Sequence, residues 1–135
     1  MNLKNLFIDF PYSHSESLPD IEIAGIAIDS RAVNPGFLFI AMKGGFVDGH
    51  DYIHKAVDAG AAAVIGDKEI SGLSVPYIRL ENPRQALTWL AAAFCNWPAR
   101  KLTVIGVTGT DGKTTTSNLL YKILVAAGIR AGMIS

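Results

Sequence analysis

The chain has 135 residues, of which 50% are hydrophobic and 18% are charged, a composition typical of a soluble globular protein. Its 12 basic and 12 acidic residues cancel, so the sequence lacks the basic excess that favours a nucleic-acid partner. We expect no membrane span, because no run of 18 uncharged apolar residues occurs. Acidic residues and a proline near the N-terminus argue against a signal peptide. A single cysteine, Cys95, excludes an internal disulfide, and we expect a cytoplasmic protein with Cys95 buried.

In chain order, the first predicted element is a short helix at residues 3–8, followed by a loop at residues 9–20. Apolar, β-branched runs predict four strands, at residues 21–30, 37–42, 61–66 and 75–80. Helical spacing of apolar residues predicts a helix at residues 48–59, ended by Gly60. Asn82 and Pro83 predict the start of another helix, which must stop before Pro98.

Beyond residue 98 the pattern changes to one continuous apolar run, residues 102–108, which predicts a parallel strand buried on both faces. A Gly-rich turn, a helix at residues 114–127 ended by Gly128, and the start of a strand at residues 130–135 follow. Alternating strands and helices predict an α/β fold. The boundary is predicted within residues 96–101. Since the second part holds too few strands to bury a sheet, we expect the chain to be cut inside its second domain.

The segment GVTGTDGKTTT, residues 106–116, lies between a predicted strand and a predicted helix, which is where a phosphate-binding P-loop belongs. Gly109 and Gly112 permit close approach of the backbone to an oxyanion, and the helix N-terminus offers its N–H groups. Lys113 adds a positive charge for the β- and γ-phosphates. The Thr114 hydroxyl is a candidate Mg²⁺ ligand.

This loop departs from the strict pattern G-x-x-x-x-G-K-[ST], whose first glycine would fall on Val107. An ordinary Gly-rich turn is the alternative. The spelling TGTDGKTTT nevertheless resembles the loop of the Mur ligases, ATP-dependent amide-forming enzymes that build the peptide stem of peptidoglycan. Asp111 replaces the Asn common in that family, and its carboxylate is expected to face outward. The resemblance implies a catalytic Lys113, Mg²⁺ on Thr114, and an ATP site formed by Gly109, Thr110, Asp111, Gly112, Lys113, Thr114 and Thr115.

A second segment, DSRAVNPGFLFIAMKGGFVDGHDYI at residues 29–53, resembles the N-terminal domain of the family members that add the third residue or the terminal dipeptide. In those enzymes this domain holds the UDP part of the UDP-N-acetylmuramoyl-peptide. The segment AVDAGAAAVIGD also fits, so the resemblance covers most of residues 24–135. It implies UDP contacts at Ile28, Ser30, Gly45, Phe46 and Val47. The family often has His-Gln-Ala in the latter loop, so this sequence departs there, and Phe46 is a candidate to stack on the base.

The resemblance implies a small UDP-substrate-binding α/β domain at residues 1–97, followed by the start of a P-loop ATP-binding parallel-sheet domain at residues 98–135. Gly109-Thr110 favours the ligase that adds the third amino acid to UDP-N-acetylmuramoyl-L-alanyl-D-glutamate through an acyl phosphate; the D-Ala-D-Ala-adding ligase more often has Gly-Ser. ATP, Mg²⁺, the UDP-muramoyl-dipeptide and an amino acid are the implied ligands, and we expect a monomer. The chain alone is expected to be inactive, since the family places its general base and amino-acid pocket after Ser135.

Two other classes stay open: a P-loop ligase of the folylpolyglutamate or cyanophycin type, which should lack the 29–53 segment, and a non-catalytic nucleotide-binding module. Local structural interpretations stay open as well. Asp29-Ser30-Arg31 can form a helix cap with a surface ion pair, and Asp48-Gly49-His50 a turn with an N-cap. We further expect surface positions for His14 and His54, and packing of Trp89, Phe94 and Trp97.

Overall fold

The computed structural model describes residues 1–11 and 18–134. The chain divides into two compact units, Met1–Pro98 and Ala99–Ser135. The predicted surface position of His14, and residues 12–17 of the loop predicted at residues 9–20, lie outside the described residues.

The first unit is built on a four-stranded parallel sheet with the strand order β1-β2-β3-β4. Its strands are β1 (Gly25–Ala27), β2 (Phe37–Ile40), β3 (Ala63–Gly66) and β4 (Tyr77–Arg79). All four lie within the predicted apolar runs but are shorter. At β1 the reason is local, since the Asp29 side chain accepts the N–H of Arg31 and turns the chain into a 3₁₀-helix.

Three α-helices and two 3₁₀-helices accompany the sheet among the described residues of the first unit, and a third 3₁₀-helix spans the boundary to the second unit. The α-helices are α1 (Leu3–Leu6), α2 (Ile53–Asp58) and α3 (Pro83–Phe94), and the 3₁₀-helices span Ser30–Ala32, Gly49–Tyr52 and Pro98–Lys101. The predicted start of α3 is confirmed, because Asn82 caps it by accepting the N–H of Gln85. It ends earlier than predicted, since Asn96 and Trp97 adopt left-handed φ values of 59° and 51°.

The buried side chains lie on both faces of the sheet, because successive strand residues point to opposite sides. Leu38 and Ile40 join a cluster with residues of α1 and α3, including Leu3, Leu6, Ala86 and Leu90. Phe39 and Ala41 join a second cluster with Ile53 and Ala56, the buried residues of α2. β2 therefore runs through the middle of the core, and its burial holds the start of the segment that follows it in place.

Side chains on α2, on α3 and directly after α3 test three predictions. Trp89 and Trp97 make an edge-to-face contact with ring centroids 4.9 Å apart, and Phe94 and Trp97 pack against the first cluster, which confirms the predicted packing. Cys95 is exposed, so its predicted burial is wrong. It is the C-cap residue of α3, beyond the face that Leu90 and Ala93 bury. His54, on α2, is exposed as predicted.

The second unit contains the helix α4 (Lys113–Ala126), followed by Gly128 with a φ of 75°. The strands predicted at residues 102–108 and 130–135 are wrong, because residues 103–109 and 130–134 have no regular secondary structure. A strand needs hydrogen bonds to a neighbouring strand, and the described part of this unit contains none. Leu102, Val104 and Ile105 are accordingly 67%, 72% and 55% exposed. Among the described residues, no helix has the length and apolar character needed to cross a membrane.

Candidate functional site

The residues predicted to contact UDP follow the carboxyl ends of two neighbouring strands. Ile28 and Ser30 come directly after β1, and residues 45–47 come shortly after β2. Because β1 and β2 are parallel and adjacent, both segments leave the sheet at the same edge. Ligands of open α/β sheets bind at this edge, so the fold places the two predicted segments where a ligand is expected.

The segment after β1 is a capped turn. Asp29 accepts the Arg31 backbone N–H at 2.9 Å, and its carboxylate receives the Arg31 guanidinium at 2.7–3.1 Å, which confirms the predicted cap and surface ion pair. These hydrogen bonds from Arg31 lower the pKa of Asp29 to about 2. Ile28 is 53% exposed, whereas Ser30 is only 6% exposed. A ligand at this edge would therefore meet Ile28 first, because Ser30 is almost completely buried.

The segment after β2, residues 43–48, forms a narrow loop that we call the β2 loop. Lys43 and Asp48 pair as an antiparallel bridge, and the Gly44 N–H donates to the Val47 carbonyl at 2.8 Å. The tip carries Gly45, Phe46 and Val47. Phe46 is fully exposed and Val47 is 56% exposed. An aromatic ring held at a loop tip without packing is available to stack on a planar ligand.

A buried histidine network supports the β2 loop. The predicted N-cap is confirmed, because Asp48 accepts the backbone N–H of His50 at 3.0 Å. The His50 side chain is 3% exposed, with its Nδ1 2.6 Å from Asp48 Oδ1 and its Nε2 3.0 Å from Asp67 Oδ1. Lys68 reaches the second Asp48 oxygen at 2.7 Å. This bond and the His50 N–H hold the pKa of Asp48 well below its usual range.

Sequence reasoning missed Asp67 and Lys68 as members of this network. They lie 17 and 20 residues from His50 and Asp48, and no local pattern connects them. Only the pairing of β2 with β3 brings the two segments together.

The predicted phosphate loop precedes α4. Gly112 adopts a left-handed φ of 74°, a conformation that favours glycine. No side chain caps the N-terminus of α4, whereas Asn2 and Asn82 cap α1 and α3. Its first N–H groups are therefore left for a solvent or ligand acceptor. The Lys113 ammonium lies over the same loop, 2.6 Å from the Gly109 carbonyl oxygen.

This arrangement fits a nucleotide phosphate. All seven residues predicted to bind ATP are exposed and consecutive, and the Asp111 side chain faces solvent. Uncapped N–H groups and an ammonium ion together present positive charge to an anion. No group of three or more His, Cys, Asp or Glu side chains within the described ranges is placed to hold a metal ion. The hydroxyl of Thr114, an exposed residue in the first turn of α4, stays the predicted Mg²⁺ ligand.

Known proteins resemble the chain along most of its length. A UDP-N-acetylmuramyl-tripeptide synthetase from Roseiflexus sp. (strain RS-1) is 51% identical over 114 residues, which cover 83% of this chain and 22% of the relative. The structure of UDP-N-acetylmuramoylalanyl-D-glutamyl-2,6-diaminopimelate--D-alanyl-D-alanyl ligase from Acinetobacter baumannii superposes with a TM-score of 0.66 at 31% identity. That match covers 91% of this chain and 27% of that chain.

The crystal structure of the MurF ligase from Thermotoga maritima in complex with ADP superposes with a TM-score of 0.59 at 34% identity. That match covers 75% of this chain and 23% of the Thermotoga protein. This chain therefore spans only 22–27% of the length of each of the three proteins. A family model described as Mur ligase family, catalytic domain, matches residues 22–95, which end before the Gly109–Thr115 loop. Because that match takes in more than half of the chain and the α/β fold is shared with solved members, the chain belongs to the Mur ligase family.

Proposed function

We propose that the chain supplies two parts of an ATP-dependent amide ligase of peptidoglycan synthesis. Residues 1–97 form the domain that binds the UDP-muramoyl-peptide, and residues 98–135 begin the domain that binds ATP. The observation that carries the ATP part is the uncapped start of α4 with the Lys113 ammonium over the loop. The ADP complex of the Thermotoga maritima relative supports it.

The proposed reaction activates a carboxylate. The γ-phosphoryl group of ATP passes to the free D-glutamyl carboxylate, which gives an acyl phosphate and ADP. The amine of an amino acid then attacks the acyl carbon, and inorganic phosphate leaves as the amide forms. Lys113 neutralises charge on the phosphates, and Mg²⁺ held by the Thr114 hydroxyl would neutralise more.

The third residue of the peptide stem is the proposed addition. The tripeptide synthetase of Roseiflexus, which is 51% identical, supports this step, as does the Gly109-Thr110 spelling of the loop. Addition of D-alanyl-D-alanine is the second candidate, because the Acinetobacter D-alanyl-D-alanyl ligase is 31% identical to this chain in sequence. It is the weaker of the two, because the relatives that are 40–51% identical to this chain include tripeptide synthetases and 2,6-diaminopimelate ligases.

Substrate choice decides between the two candidates. The product of the full coding sequence, whatever its length, should release phosphate with UDP-muramoyl-dipeptide and a diamino acid. It should release none above background with UDP-muramoyl-tripeptide and D-alanyl-D-alanine. The reverse preference would select the second candidate. The 135-residue chain alone is expected to release none with either pair, and turnover by it would contradict the proposal that residues 98–135 only begin the ATP-binding domain.

Binding by the 135-residue chain tests the two sites separately. In an NMR titration, UDP should shift the amide signals of Ile28, Ser30 and residues 45–47. Mg-ADP should shift those of residues 109–115 instead. If millimolar UDP leaves the first set unchanged, the UDP site is wrong, whatever ADP does.

A further inference from the structure

The β2 loop has no core contact of its own. Residues 43–47 are exposed and belong to neither buried cluster, so the position of the tip depends on what holds the two ends of the loop. At one end, the Lys43 carbonyl accepts a long hydrogen bond of 3.4 Å from Arg84. The other end is Asp48, whose contacts are shorter and more numerous.

Asp48 is held by two side chains of different exposure. Lys68 donates to Asp48 at 2.7 Å, but its side chain is 54% exposed, so water and salt compete with the pair. His50 donates from a side chain that is 3% exposed, at 2.6 Å from Nδ1. Since water has little access to this second contact, we expect it to hold Asp48 more firmly.

The opposite side of the His50 ring is fixed to the end of β3. The Nδ1 nitrogen lies 2.6 Å from Asp48 Oδ1, and Nε2 lies 3.0 Å from Asp67 Oδ1 and 3.3 Å from the Asp67 backbone nitrogen, so both ring nitrogens have a partner. Asp67 directly follows β3, whose Val64 and Ile65 are fully buried. The ring therefore connects the end of a buried strand to Asp48, which anchors the β2 loop.

Gly66, at the end of β3, leaves the space that the ring occupies. A Cβ added there would lie 2.8 Å from His50 Nε2 and would overlap the Tyr77 hydroxyl. That hydroxyl donates to the Lys68 carbonyl at 2.7 Å, so the neighbouring backbone is fixed as well. The histidine is thus enclosed on the strand side and bonded on the loop side.

We infer that His50 is a positioning residue for substrate binding. By joining Asp48 to Asp67, it fixes the β2 loop so that Gly45, Phe46 and Val47 are already arranged for the uridine nucleotide before it binds. The inference rests on the proposed UDP site. A loop ordered in advance binds more tightly, because less conformational freedom is lost on binding.

The test is UDP binding by the 135-residue chain carrying His50→Ala. We expect the dissociation constant to rise about tenfold, with faster motion of residues 44–47 in ¹⁵N relaxation of the free protein. His50→Asn, whose amide can still donate to Asp48, should recover part of the affinity. His54→Ala removes an exposed histidine from α2 and should leave affinity and loop motion unchanged.

Affinity and stability must be separated, because a purely structural histidine would lower the melting temperature without changing the affinity of the folded protein. Equal UDP affinity in wild type and folded His50→Ala overturns the inference. If His50→Ala does not fold, His50→Asn and His50→Gln take its place, because each keeps one of the two contacts of His50, to Asp48 or to Asp67. Wild-type UDP affinity in both of these variants would also overturn the inference.

Failure of the proposed function gives a different result, since wild type itself would then show no UDP binding. The relaxation measurement needs no ligand. Unchanged motion of residues 44–47 in His50→Ala would count against positioning even in that case.

Discussion

The Nζ of Lys113 lies 2.6 Å from the carbonyl oxygen of Gly109, four residues earlier, and 3.0 Å from that of Thr110. The ammonium is therefore folded back over its own loop by two neutral acceptors. Phosphate oxygens carry a full charge and form stronger charge-assisted hydrogen bonds than carbonyls do. The lysine is placed so that a bound nucleotide could replace both carbonyls without unfolding any part of α4.

We predict that Lys113→Ala weakens Mg-ADP binding by about 1.5–3 kcal/mol, or roughly 10- to 150-fold, because a charge-assisted hydrogen bond is lost. Titration with a fluorescent ADP analogue measures the change. Lys122→Ala is the matched control, since Lys122 is an exposed lysine nearer the other end of α4. Equal losses in both variants would show that net charge alone attracts the nucleotide.

We predict that Gly66→Ala destabilises the first unit by about 1–3 kcal/mol, because its methyl group would be forced against His50 and Tyr77. Urea unfolding at neutral pH measures the difference. Gly45→Ala should be near neutral, because a Cβ there meets nothing within 4 Å. A Gly66→Ala protein as stable as wild type would mean that the His50 ring is not confined as described.

Leu38→Ala should cost about 2–5 kcal/mol of unfolding free energy, because Leu38 is 0% exposed and its loss leaves a cavity beside α1 and α3. Leu102→Ala deletes the same atoms at a position that is 67% exposed, and should change stability by less than about 0.5 kcal/mol. Both values come from one set of urea curves. Similar losses at the two positions would contradict the assigned core.

The ion pair of Asp29 and Arg31 should make stability depend on acid pH. Hydrogen bonds from Arg31 lower the folded pKa of Asp29 from 3.8 to about 2. A lowered folded pKa means that the contribution is fully present above the unfolded value and is lost as the pH falls from 3.8 to about 2. The stability difference between wild type and Arg31→Ala should therefore shrink across this window.

Carbon-13 NMR of the Asp29 carboxyl group checks the same pair directly. In Arg31→Ala its titration midpoint should rise toward the ordinary value for aspartate, about 3.9. Arg79→Ala, on β4, should leave it unchanged. An Asp29 midpoint that stays low without Arg31 would assign the shift to another cause.

Parts of the fold that depend on short-range contacts were predictable. The cap at Asn82, the turn at Asp29 and the N-cap at Asp48 each involve a side chain and an N–H two or three residues away. The strand predicted at residues 102–108 failed for the opposite reason. Its apolar pattern is suited to a sheet, but a strand exists only where a neighbouring strand accepts its hydrogen bonds.

The sequence by itself determined the α/β class and the family resemblance, and it predicted the phosphate loop, because each depends on a pattern of contiguous residues. The assignment of ATP to residues 109–115 and of UDP to Ile28, Ser30 and residues 45–47 stays a prediction. Only the tertiary structure decided what holds the β2 loop. The partners of His50 and Asp48 beyond the loop lie 17 and 20 residues away, and the parallel pairing of β2 and β3 alone brings them within hydrogen-bonding distance.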